Sequence, residues 1–150
     1  MTDAEQQLLL DLIAGEWARL SDASRPPRMW VLRHASVPLD GERVDAAVRA
    51  SPPKRAWMLI DGRCEPRPLS DFARFAAVHW TRPWSGAMVP PANAIHDKGR
   101  HEIGVARFAA VRGTPTFYVE WTFAGLNGRG FLVEPDAAGE LQTAELLWLS

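Results

Sequence analysis

Residues 116–124 read Thr-Phe-Tyr-Val-Glu-Trp-Thr-Phe-Ala, and their large apolar members fall on every second position. Phe117, Val119, Trp121 and Phe123 alternate with Thr116, Tyr118, Glu120 and Thr122. In an extended chain successive side chains point to opposite faces, so a period of two makes one apolar and one polar face. A helix would scatter the same set around its cylinder. The aromatic and β-branched content suits a pleated surface, and the stretch is expected to be a half-buried strand.

Its neighbours extend the pattern into an antiparallel meander of four strands. Upstream, residues 103–111 begin with Ile103 and Val105 on one face, but the apolar phase then moves to Phe108 and Ala110. A straight strand would put Arg107 on the core face, so a bulge near Ala106 is expected to restore the register. Arg112-Gly113-Thr114-Pro115 links the two strands as a short hairpin loop. Downstream, Asn127-Gly128 lies within a glycine-rich reversal, Gly125 to Gly130, because both residues tolerate positive φ. Phe131 and Val133 then mark a third strand, and residues 135–139 turn the chain again. The fourth strand, residues 141–149, ends in Leu146-Leu147-Trp148-Leu149, apolar on both faces. A two-faced run of this kind implies cover from both sides, by a helix layer, a cavity wall or a partner chain.

Earlier in the chain, Thr2 or Asp3 can cap a helix running to Leu20. Leu9, Ile13, Trp17 and Leu20 form its apolar stripe, broadened by Leu8, Leu10 and Leu12. Gly15 costs that helix about 1 kcal/mol relative to Ala. Pro26 and Pro27 precede an extended piece at residues 29–33, and Asp40 can cap a short helix over residues 42–50. Residues 56–65 form a hairpin around Asp61-Gly62, with Pro66 and Pro68 restricting its return strand to an edge. Ser70 can cap a helix from Asp71 to Trp80 that gathers Phe72, Phe75, Ala76 and His79 on one face. Residues 81–99 show no periodicity and carry Pro83, Pro90 and Pro91; an irregular loop this long usually has a function.

The expected fold is therefore α+β. A single domain of 150 residues holds a curved antiparallel four-stranded C-terminal meander, joined by the 56–65 hairpin and packed against the N-terminal and central helices. Trp17, Phe75, Trp121, Val119 and Leu146 are expected in its core. The order of elements resembles the cone-like sheets of cystatin-like and nuclear-transport-factor-like domains over the last 95 residues. That resemblance implies that Tyr118, Glu120 and Thr122 line the mouth of a cone; in a flat sheet with helices on the Trp121 face they would meet solvent.

Charge and composition exclude several functions. Net charge is -1, so there is no basic footprint for nucleic acid. Asp11 interrupts the first apolar run and no basic segment precedes it, so neither a leader nor a membrane span is expected. Cys64, the lone cysteine, leaves no disulfide within the chain and fits a cytoplasmic setting. Of 17 basic residues only Lys54 and Lys98 are lysine, an Arg bias of the kind GC-rich bacterial genomes impose. Gly125–Gly130 lacks the Lys-Ser or Lys-Thr and the following helix of a phosphate loop, and no Ser sits in a nucleophile elbow.

Seven Trp is a high count, and two of them, Trp80 and Trp84, flank Arg82 at the entrance of the long loop. His96, Asp97 and His101 stand at its exit. Aromatic contact area and an Arg fork suit recognition of a partner; the same Trp pair would equally suit closing one end of the sheet. The histidine spacings do not match a metal site, and no metal or cofactor is expected. Trp80, Arg82, Trp84, His96, His101, Tyr118 and Glu120 are thus the candidate binding residues. The reading that follows is a non-catalytic binding module for a protein partner or a small apolar ligand, a homodimer included. The alternative is a cofactor-independent isomerase or hydrolase with Glu120 or a loop histidine as base.

Overall fold

The computed structural model describes residues 2–20, 28–38, 44–79, 82–84, 87–89, 104–122 and 128–149, with backbone alone at 3, 17–20, 78–79, 82–84, 87–89 and 148–149. The elements in chain order are α1 (Asp3–Leu20), β1 (Met29–Arg33), α2 (Val44–Ala50), β2 (Arg55–Ile60), β3 (Arg63–Arg67), α3 (Leu69–His79), β4 (Arg82–Trp84), β5 (Ala87–Val89), β6 (Gly104–Ala110), β7 (Phe117–Thr122), β8 (Arg129–Pro135) and β9 (Leu141–Leu149). The fold is α+β, built on an open seven-stranded sheet in the order β3-β2-β1-β6-β7-β8-β9. Its C-terminal half is the expected meander, with β6, β7, β8 and β9 pairing antiparallel in succession.

The β2–β3 hairpin joins this meander through β1. That short extended piece enters the middle of the sheet, antiparallel to β2 and parallel to β6. Met29, Trp30, Val31 and Leu32 are all buried, as a central strand covered on both faces requires. The β2–β3 turn follows its sequence chemistry: Asp61 and Gly62 both take positive φ, 51° and 76°. At the chain start Thr2 and Glu5 form a reciprocal cap. The Glu5 amide donates to Thr2 Oγ1 and the Thr2 amide to Glu5 Oε2, each at 3.1 Å.

Helices cover both faces. On one, Leu8, Leu9, Leu12 and Ile13 of α1 pack on Met29, Val31, Trp57, Leu59, Phe108, Val119, Trp121, Phe131 and Val133. On the other, Val44 and Val48 of α2 meet Val37, Ala109, Val111 and Tyr118. Alongside them Phe72 of α3 packs on Trp30, Leu32, Ala56 and Val105, with the Trp30 and Phe72 rings edge-on at 5.5 Å. Phe117, Val119 and Trp121 do share the α1 face, as their spacing predicts.

Several expectations need correction. No bulge forms near Ala106: the β6–β7 register is continuous from Val105↔Thr122 to Ala110↔Phe117. The apolar phase changes because the strand is buried on both faces, not because the chain slips. The register shifts lie between β8 and β9 instead, at Gly130/Phe131 and Glu134/Pro135. Tyr118 and Glu120 neither meet solvent nor line a mouth; they are buried on the face that α2 covers. Leu146 is 49 % exposed rather than in the core, and Phe75 is only half-buried, against Trp30 and Phe72. Residues 82–89, expected to be irregular, include the short β4–β5 hairpin. Finally, α3 begins at Leu69, so Ser70 sits inside its first turn. The Trp17 side chain lies outside the described residues.

Candidate functional site

The sequence candidates separate into two groups. Trp80, His96 and His101 lie outside the described residues, and of Arg82 and Trp84 only the backbone in β4 is described. Tyr118 and Glu120 are well placed, and they belong together. The alternation of β7 puts both on the α2 face, and the Tyr118 hydroxyl donates to Glu120 Oε2 at 2.9 Å.

Two arginines complete this cluster. Arg107 stands opposite Glu120 in the β6–β7 register, and its Nη1 donates to Oε1 at 3.2 Å. Arg49, in the last turn of α2, reaches down from the helix. Its Nε donates to Oε2 at 3.0 Å and to Oε1 at 3.4 Å. Glu120 is 3 % exposed. A buried carboxylate is costly unless it is paired and hydrogen-bonded, and here both oxygens accept two donors each. A general base needs a free lone pair aimed at a substrate proton. Glu120 spends its acceptor capacity within the fold and acts as a rivet between α2 and the sheet. Sequence reasoning noticed Arg107 as an interruption of the apolar phase; the interruption was the signal, since a charge on a core face demands a counter-charge.

His34 follows β1 beside this cluster and was not singled out from the sequence. It is buried, with Nδ1 2.9 Å from the Ser51 carbonyl oxygen at the end of α2. A carbonyl can only accept, so the ring proton sits on Nδ1, and Nε2 has no hydrogen-bond partner among the described residues. Burial, followed by the Arg107 charge, lowers the imidazole from 6.5 to about 4, against the opposing effect of the Ser51 bond. The unfolded chain therefore binds a proton that the folded chain refuses between those two values. The stability this contributes is fully present above pH 6.5 and is lost as pH falls toward 4. At 1.36 kcal/mol per unit the loss is about 3 kcal/mol. Urea midpoints measured from pH 7 to 4 should fall more steeply for the wild type than for His34→Asn, which keeps a donor for Ser51 but cannot titrate.

Cys64 is half-buried against the α1-face core, and burial pushes its thiol up to about 11. It is a packed thiol and a poor nucleophile at neutral pH.

The second candidate is an edge. The sheet has two, and they are built differently. β3 has five residues, Arg63-Cys64-Glu65-Pro66-Arg67, of which three are charged and one cannot donate to a ladder. Such an edge repels strand addition. β9 has nine residues, no proline and one charge, Glu145. Leu146 and Leu147 on it are 49 % and 41 % exposed. Beside β9, on the α1 face, a groove of about 300 Å³ is lined by Leu12, Gly15, Phe131, Leu141, Ala144 and Leu146. Asp11, Glu16 and Arg129 line it as well: Arg129 Nη1 donates to Glu16 Oε2 at 2.9 Å, and Asp11 Oδ1 accepts from the neutral Gln7 Nε2 at 2.8 Å.

Gly15 opens this groove. A Cβ built there would meet nothing within 4 Å, so close packing of α1 does not require glycine. Gly15→Ala should raise the unfolding free energy by about 0.5–1 kcal/mol in a denaturant titration, the ordinary gain in a helix interior.

Comparison with protein-family models, with curated proteins and with solved structures yields no significant match. Among the described residues no helix is long and apolar enough to cross a membrane.

Proposed function

We propose that this chain is a non-catalytic binding module that docks a protein partner along β9. The observation that carries the reading is the contrast between the two sheet edges. A long, largely apolar edge whose outward backbone groups have no strand beside them among the described residues is a template for another strand; the two register shifts in β9 leave residues 143–146 as its regular stretch. Strand addition gives affinity through main-chain hydrogen bonds, and pockets for alternate side chains give specificity. The α1–β9 groove supplies such a pocket. A cytoplasmic setting suits the single half-buried thiol.

The other readings have less support. A small apolar ligand needs an interior cavity, whereas the void beneath α1 is about 10 Å³, the room of one water. The pocket enzyme with Glu120 as base needs that carboxylate free, and Glu120 is held by Arg49, Arg107 and Tyr118; the loop histidines of the same reading lie outside the described residues. A cone in the manner of the domains this element order resembles would open on Tyr118 and Glu120, where α2 lies.

The test is selection of displayed extended peptides on sparsely immobilised protein, with the Leu146→Lys/Leu147→Lys double variant as counter-screen. Peptides that enrich on the wild type and lose binding to the double variant are expected. Peptides that bind both proteins equally would move the docking surface away from β9.

A further inference from the structure

We infer that the strand docked on β9 is a second copy of this chain, paired antiparallel about a two-fold axis normal to the sheet. This rests on the reading of β9 as a docking edge and names its occupant. Charge is the first argument. Arg129 pairs with Glu16 within the chain and Asp11 accepts from neutral Gln7, so among the described residues one carboxylate is all the net charge the groove offers a partner. What remains is Leu146, Leu147 and the apolar part of the lining, Leu12, Phe131, Leu141 and Ala144, a surface that can meet its own image. Isologous contacts require that self-complementarity, since each patch meets its own image.

Register is the second argument. In a symmetric antiparallel pair the residue on the axis faces itself, and its neighbours face each other crosswise. An axis at Glu145 would oppose two carboxylates, which is destabilising. An axis at Ala144 opposes two methyl groups and sets Thr143 of each copy against Glu145 of the other, a hydroxyl facing a carboxylate. Ala144 and Leu146 share the α1 face, opposite Val133 and Phe131, so this axis brings the two grooves together. The axis at Ala144 pairs residues 141–147 of the two copies, seven of the nine in β9, about 24 Å of shared edge. The product is one continuous sheet running through both copies, with a charged, proline-bearing β3 at each outer end.

Light scattering behind size exclusion, on the whole chain, tests this. The wild type should have the mass of two chains at high micromolar concentration and of one chain on dilution. Leu146→Lys/Leu147→Lys should halve the mass at high concentration with an unchanged far-ultraviolet spectrum, since both leucines are exposed. In a Cys64→Ser background, Ala144→Cys should give a disulfide-linked pair under mild oxidation, because only the axial position faces itself. A two-chain mass that survives the double variant would overturn the inference, as would a one-chain mass at every concentration. In the second case, peptides that still distinguish wild type from double variant would leave the docking reading standing with another protein as occupant; peptides that do not would remove both.

Discussion

Replacing Glu120 by Gln is expected to lower the unfolding free energy by about 3 kcal/mol, read from urea midpoints at neutral pH with the denaturant slope unchanged. The side chain keeps its shape and loses its charge. Arg49 and Arg107 then remain mostly buried, with side chains 14 % and 12 % exposed, and nothing on Glu120 balances them. The cost is that of the lost counter-charge at Arg107 more than that of lost hydrogen bonds, and the slight exposure of its guanidinium group keeps it at the lower end of the range for broken buried pairs. Removing one cation as well should recover part of the loss. Glu120→Gln/Arg107→Met is therefore expected to be more stable than Glu120→Gln alone, a sign that ordinary additivity forbids. A single-variant loss below about 1 kcal/mol would mean that the cluster is solvated and does not hold α2 to the sheet.

Trp121→Ala is the second large effect, at about 3–5 kcal/mol in the same titration. Trp121 is among the largest fully buried side chains and packs under α1 with Leu12, Ile13, Ala106 and Phe131. Truncation removes its apolar burial and leaves a cavity that neighbouring strands, fixed by their ladders, cannot close. Folded domains hold only 5–15 kcal/mol in reserve, so the variant is best measured in the cold, with Trp121→Leu beside it as the milder truncation. Leu146→Ala, four positions from the chain end, should change stability by no more than about 0.5 kcal/mol in the monomer. The two residues look alike in the sequence, large apolar members of alternating strands. Both lie on the α1 face, and only the distance from the sheet's edge separates them.

That pair shows what could be read without coordinates and what could not. Local chemistry was legible: a cap at Thr2 or Asp3, of which the structure uses Thr2, the tight turn at Asp61-Gly62, the four-stranded meander at the C-terminal side, and the shared face of Val119 and Trp121. The insertion of β1 was not. It depends on pairing Met29–Arg33 with residues 104–108, a parallel contact that no turn announces. The uninterrupted apolar run Met29-Trp30-Val31-Leu32 was its trace in the sequence. Arg107 was read as slippage because one polar face was assumed; with both faces covered, its counter-charge comes from Glu120 on β7, which Arg49 of α2, 71 residues before it, also holds. For Leu146 and Leu147 the physics was sound and the conclusion was not. A two-faced apolar strand does imply cover, but among the described residues cover reaches β9 from one side only, at the groove. Among the candidate binding residues, Tyr118 and Glu120 come together as part of the framework, while the docking surface falls on leucines that a rule favouring aromatics and charges passes over.

Backbone amide exchange along β9 tests the central claim most directly. The amides that point away from β8 should exchange quickly in dilute protein and slow down at high concentration or with a selected peptide. Those of β3, the protected edge, should exchange alike under all three conditions. If the outward amides of β9 exchange at one unchanged rate throughout, no strand adds there and the docking edge is contradicted.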